Sequence, residues 1–127
     1  MADRINLSGD FRGSIINIKS TLTNVQQSVG EIRTDDQSAR KELEKLIGEL
    51  SEALQKVPEK NQEQAEAVAE TAKALVDTAK AEKPNKVMLQ ISGEGLKQAA
   101  KNLADVMPLV VVIASQIVLT VAKLTGL

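Results

Sequence analysis

The chain has no cysteine, no histidine, no tryptophan and no tyrosine, and a single phenylalanine is its only aromatic residue. Each absence removes a class of function. Without thiols there is no disulfide framework, no thiolate nucleophile and no thiolate metal site. Without imidazole the commonest general base and the commonest transition-metal ligand are gone. A diiron helical bundle, which needs Glu-x-x-His pairs, is excluded for the same reason. Proteins that hold single-stranded nucleic acid stack its bases on aromatic side chains, and one phenylalanine makes no such platform. An excess of one charge is missing too. Sixteen Lys and Arg stand against 17 Asp and Glu, for a net charge of −1, and the signs are interspersed rather than gathered into a basic stripe. Nucleic acid is therefore not an expected partner. The opening residues, "MADRINLSGDFRG", are polar and mixed in charge and lack the apolar run of a secretory signal. The expected location is the cytoplasm, with membrane association resting on the C-terminal segment alone.

What is present is helical periodicity. At 127 residues the chain has material for one compact domain. In "DDQSARKELEKLIGELSEALQKV", Ala39, Leu43, Leu46, Ile47, Leu50, Leu54 and Val57 recur at spacings of three and four and form one face. Thr34 with Gln37 reads as a capping box, and Pro58 disfavours helix at Val57. Glu52 and Lys56 are spaced for an ion pair on the outer side. A second stripe, Ala65, Val68, Ala72, Leu75, Val76 and Ala79, consists mostly of alanine, which lets a neighbouring helix approach closely. A third runs through Leu89, Leu96, Ala100, Leu103 and Met107. Gly93 and Gly95 lie inside it, at a cost of about 1 kcal/mol each against alanine. Close helix–helix approach is the favoured reason for them over a break. "SGEG" lacks the Lys-Ser/Thr of a phosphate-binding loop.

The N-terminal third admits two readings. "SIINIKSTLTNVQQSVGEIR" is rich in residues that prefer strands. Yet Ile15, Ile18, Leu22, Val25, Val29 and Ile32 step by 3, 4, 3, 4, 3, an uninterrupted coiled-coil seam. Periodicity favours helix. If extended, the segment would be prone to cross-β stacking. Residues 1–13 read as an extended arm with turns at Gly9 and Gly13.

The last stretch, "VMPLVVVIASQIVLTVAKLTGL", has no charge between Asp105 and Lys123. The uncharged run of 17 residues would span roughly 25 Å as a helix, the lower limit for crossing a bilayer. Gln116, Thr120 and Lys123 make a thin polar strip, and the interfacial Trp and Tyr anchors of membrane helices are absent. The favoured reading is a central helix of a soluble bundle, in which a charge at Val112 would unfold the chain. The competing reading is a helix that enters lipid. The candidate core-or-membrane residues are Leu109, Val112, Ile113, Ile117, Leu119 and Val121.

No catalytic, cofactor-binding or metal-ligating residue emerges. Lysines fall mostly on polar faces, where their reactivity is low. The carboxylates Glu42, Glu44, Glu49, Glu52, Glu63, Glu66 and Glu70 read as solvated faces. An enzyme is not expected, and no cofactor is.

Three stretches, "GDFRGSIINIKSTLTNVQQSVG", "AEAVAETAKALV" and "EKPNKVMLQISGEGLKQAAKNLADVMP", together cover over half the chain. In them the chain resembles small helical modules associated with bacterial NLR-like (STAND NTPase) signalling and effector systems. The resemblance implies a self-associating or partner-recruiting module in a conflict or cell-death pathway, with membrane disruption as a variant. No NTPase or enzymatic effector domain is present in this chain.

The expected fold is all-α: an up-and-down antiparallel helical bundle of about five helices spanning about 14–33, 35–57, 59–82, 85–106 and 108–125, preceded by the short arm. The expected function is a non-catalytic module that forms a homo-oligomer through the seam Ile15, Ile18, Leu22, Val25, Val29 and Ile32, with another signalling protein as a further partner. The alternative is a membrane-perturbing effector.

Overall fold

The computed structural model describes the backbone of residues 2–126 and the side chains of residues 13–126. It is an all-α bundle of five helices: α1 Ala2–Val29, α2 Gln37–Gln55, α3 Gln62–Ala79, α4 Lys86–Lys101 and α5 Pro108–Thr125. A single 3-10 turn, Glu59–Asn61, leads into α3, and there is no strand among the described residues.

The expected N-terminal arm is helix instead, since α1 already begins at Ala2. Gly9 and Gly13 weaken a helix by about 1 kcal/mol each but do not end it. The first proline is Pro58, so nothing in the stretch removes a backbone donor, and a helix nucleated in its packed half propagates. The strand reading of residues 14–33 fails for the reason that favoured helix: the seam from Ile15 to Val29 lies on one face of α1, Ile32 follows in the turn, and all but the half-buried Ile15 are buried.

Stop and start signals are local. Asp36, rather than Thr34, caps α2, its Oδ1 accepting from the Ala39 N–H at 2.9 Å. Thr34 Oγ1 instead accepts from the Asp36 N–H at 3.1 Å, which holds the cap in place. Arg40 donates to the Ile32 and Thr34 carbonyls and pins the α1–α2 turn from inside the first turn of α2. Asn85 caps α4 through Met88 N–H at 3.1 Å, Pro108 opens α5, and Gly126, at φ 72°, closes it in the left-handed region that glycine tolerates. Asp36→Ala is expected to lower stability by about 1 kcal/mol, read as a lower urea midpoint with unchanged slope.

The helices close a ring in the order α1, α2, α5, α4, α3 and back to α1, with α3 also reaching α5 across the middle. Chain direction alternates from helix to helix. The end of α2 meets the start of α5, where Glu49, Ala53 and Lys56 line a groove with Met107, Leu109 and Ile113. The start of α4 meets the end of α5, with Leu89 beside Val121 and Ala122. A closed ring of five alternating helices must contain one parallel pair, and here it is α1 with α3. Asn17 and Thr21 lie beside Glu66 and Glu70, and Ser28 lies beside Lys80. The two C-terminal ends, each carrying partial negative charge, therefore sit together. Lys80, the C-cap of α3, lies between them, 3.2 Å from Glu31 and 3.7 Å from Asp77 and donating to Ser28 Oγ. α2 and α3 follow each other in sequence without packing side by side as principal neighbours, because α1 stands between them.

The core is one apolar cluster fed by all five helices. The α2 and α3 stripes point into it as the spacing required. α4 runs unbroken through both glycines. A Cβ on Gly93 would lie 3.3 Å from Val118 Cγ1, so this glycine sets the approach of α4 to α5.

Candidate interaction surface

The candidate oligomer seam is not a surface. Ile18, Leu22, Val25, Val29 and Ile32 are each 2 % exposed or less, and Ile15 is half-buried. α2 and α3 cover this face, so in the folded chain it has no area left for a second copy. Strict heptad spacing marked a face that packs tightly, and the packing partner belongs to the same chain.

The C-terminal helix also departs from its expected place. It is not central but one of the five ring members, between α2 and α4. Ile113, Ile117 and Val121 point inward, together with Val110, Ala114, Thr120 and Leu124. Leu109, Val112 and Leu119 point outward, 55 %, 53 % and 69 % exposed. Val111 and Val118 flank them half-buried. A charge at Val112 would therefore be solvated and would leave the fold intact. The polar strip is divided as well. Gln116 and Lys123 are exposed, whereas Thr120 is buried and donates to the Gln116 carbonyl at 2.8 Å. That back-bond satisfies the hydroxyl within its own helix.

The outward face thus reads Leu109, Val112, Gln116, Leu119, Lys123, again stepping by three and four. Grooves run along both sides of this ridge. On the α4 side a depression of about 330 Å³ is lined by Leu89, Gln90, Gly93 and Glu94 against Val118 and Ala122. On the α2 side two more, each about 380 Å³, hold Glu49, Glu52 and Lys56 near Leu109, and Glu42 near Leu119 and Lys123. All three are open troughs created by the curvature of neighbouring helices. None is an enclosed chamber that would shut a substrate away from water.

The charged groups make simple surface pairs. Lys73 donates to Asp77 Oδ2 at 3.0 Å, and this hydrogen bond, with the Asp77 charge, raises the Lys73 pKa above its ordinary value. An amine held more firmly protonated is a poorer nucleophile, not a better one. Glu52 and Lys56 are not in ion-pair contact; the pairs formed join Arg33 to Glu82, Lys73 and Lys80 to Asp77, Lys80 to Glu31, and Lys97 to Glu94. Among the described residues no group of three or more His, Cys, Asp or Glu is placed to hold a metal ion. Buried Gln62 serves a turn: it donates to the Val57 carbonyl at 3.1 Å and ties the end of α2 to the start of α3.

Other exposed apolar side chains lie elsewhere: Ile16 on α1, and Val87, Met88 and Ile91 on α4. Val87, Met88 and Ile91 adjoin on one turn of α4, but the exposed charges of Lys86 and Glu94 flank them, so they form no charge-free stripe. Compared with protein-family models, with curated proteins and with solved structures, the chain matches none.

Proposed function

We propose that this chain is a non-catalytic interaction and assembly module that works through the outward face of α5. The observation that carries the reading is the exposure of Leu109, Val112 and Leu119 on one side of a helix with no charge from Val106 to Ala122. Single exposed leucines need no explanation, but three exposed apolar side chains in line on one helix, interrupted only by an uncharged Gln116 and with grooves at their margins, resemble a surface shaped for another helix. The five-helix ring closes its core without that ridge, which leaves the ridge available to a partner. The resemblance to modules of NLR-like signalling systems supports the same reading and makes a signalling protein a further partner, acting in the cytoplasm of a bacterial cell.

The experiment is light scattering of the wild-type chain over a wide range of concentration, beside Leu119→Asp. The wild type is expected to shift to a larger species as concentration rises. The variant is expected to stay monomeric with unchanged helical circular dichroism, because a charge at an exposed site costs little stability. A wild type that stays monomeric throughout overturns self-assembly.

One observation favours a second reading, a membrane-acting effector. α5 is long and apolar enough to cross a bilayer by length and composition. Against it stand the seven residues that α5 buries in the ring, which would have to be withdrawn before the helix could insert. Liposome flotation with encapsulated dye separates the two, since insertion requires co-flotation and leakage.

A further inference from the structure

Charge is distributed unequally along the α5 ridge. Near its start the α2 margin carries Glu49 and Glu52, with Lys56 as the only base lining the same groove, and exposed Asp105 stands just before the helix. Near its end stands Lys123, with Glu42 across the groove. No ion pair joins Lys123, Glu49 or Glu52 to any described residue within 4.0 Å. One end of the ridge is thus net acidic and the other holds a lysine without a close partner. Gln116 lies midway, seven residues from Leu109 and seven from Lys123, or about 10 Å each way along a helix.

We infer, resting on the assembly reading above, that the partner on this ridge is a second copy of the same chain. Its α5 lies antiparallel to the first, and the two helices cross at Gln116, so that each Lys123 reaches the Glu49–Glu52 margin of the other copy. A two-fold axis through Gln116 sets Leu109 opposite the Lys123 stem and brings Val112 within one residue's rise of Leu119. The apolar side chains then cover one another and each ammonium comes to the acidic end. The parallel arrangement would put Lys123 against Lys123 and the acidic margins against each other. It would also align the two helix dipoles, so both electrostatic effects select the antiparallel form. A two-fold contact of this kind is self-complementary and closes at the dimer, without growing into a fibre. Since it joins two chains that are each already folded, changes on the ridge act on association and not on folding.

The test combines charge reversal with cross-linking in the full chain. Lys123→Glu is expected to weaken dimerisation about tenfold, because two cross-copy pairs become repulsions at once. Adding Glu49→Lys and Glu52→Lys to the same chain is expected to restore it. The absence of native cysteine allows a second, independent readout. Under mild oxidation Gln116→Cys is expected to link to itself across the axis, whereas Leu109→Cys is not, because antiparallel packing carries the two Leu109 positions far beyond disulfide reach. If Leu119→Asp abolishes association but the charge reversals do not rescue one another and Leu109→Cys links to itself, the antiparallel contact is overturned and the assembly reading stands. If the wild type is monomeric at every concentration, or floats with liposomes as a monomer, both fall.

Discussion

Ile117→Asp is expected to leave the chain largely unfolded at room temperature, while Val112→Asp, five residues earlier on the same helix, is expected to fold. Ile117 is fully buried in the common core and Val112 is exposed. The first substitution removes a large side chain, which in cores costs about 2–5 kcal/mol, and leaves a carboxylate with no cationic partner, which costs several more. Against a total stability of about 5–15 kcal/mol, that loss is enough to tip the equilibrium. The second replaces a side chain already in water, where changes fall mostly within about 0.5 kcal/mol. Far-UV circular dichroism with a urea titration of both variants decides the matter. Equal stabilities would mean that α5 does not occupy its place in the ring.

The second large effect is at the α4–α5 crossing. Gly93→Ile is expected to destabilise by about 1–3 kcal/mol, the usual cost of overpacking. The added Cβ alone would come within 3.3 Å of Val118 Cγ1, and isoleucine places further atoms beyond it, so either Val118 leaves its rotamer or the helices separate. Replacing an interior glycine gains a few tenths of a kcal/mol in helix propensity for isoleucine, too little to offset this. Gly95 is the control. A Cβ there meets Thr71 Cγ2 at 3.8 Å, ordinary contact, so Gly95→Ala is expected to be neutral or to gain up to about 1 kcal/mol. Thermal melts should rank Gly95→Ala at or above the wild type and Gly93→Ile several degrees below it.

How far these elements were legible depended on whether a helix has a phase. α2 and α3 each show one stripe and one polar side, and Leu43, Leu50, Leu54, Val68, Ala72 and Leu75 went where the spacing put them. The seam of α1 was equally clear as a face, but spacing cannot tell whether the opposing helix belongs to the same chain. α5 gave no phase because it is apolar nearly all round. Ile117 and Leu119 are indistinguishable by composition, yet one is enclosed and the other largely exposed. The only indicators of direction were Gln116 and Lys123, and Thr120 blurred them by satisfying its hydroxyl on its own backbone. Gly9 and Gly13 suggested turns because glycine is common there, although without proline or a competing cap a helix passes through them. At Thr34 and Asp36 both residues have capping chemistry, and the difference of two positions was decided by the turn that Arg40 holds.

The order of the ring also governs when the fold can exist during synthesis. α5 is made after α1 to α4, yet its longest flank packs on α2, with two whole helices between them in the chain. Until it emerges, the sides of α2 and α4 that it will cover, Ala53 and Leu89 among them, have nothing to bury them. The first four helices therefore form an open arc whose closure waits on a contact of long sequence separation, the kind that slows folding and leaves apolar surface exposed meanwhile. A nascent chain of this protein is most exposed to aggregation in the interval between the completion of α4 and the emergence of α5.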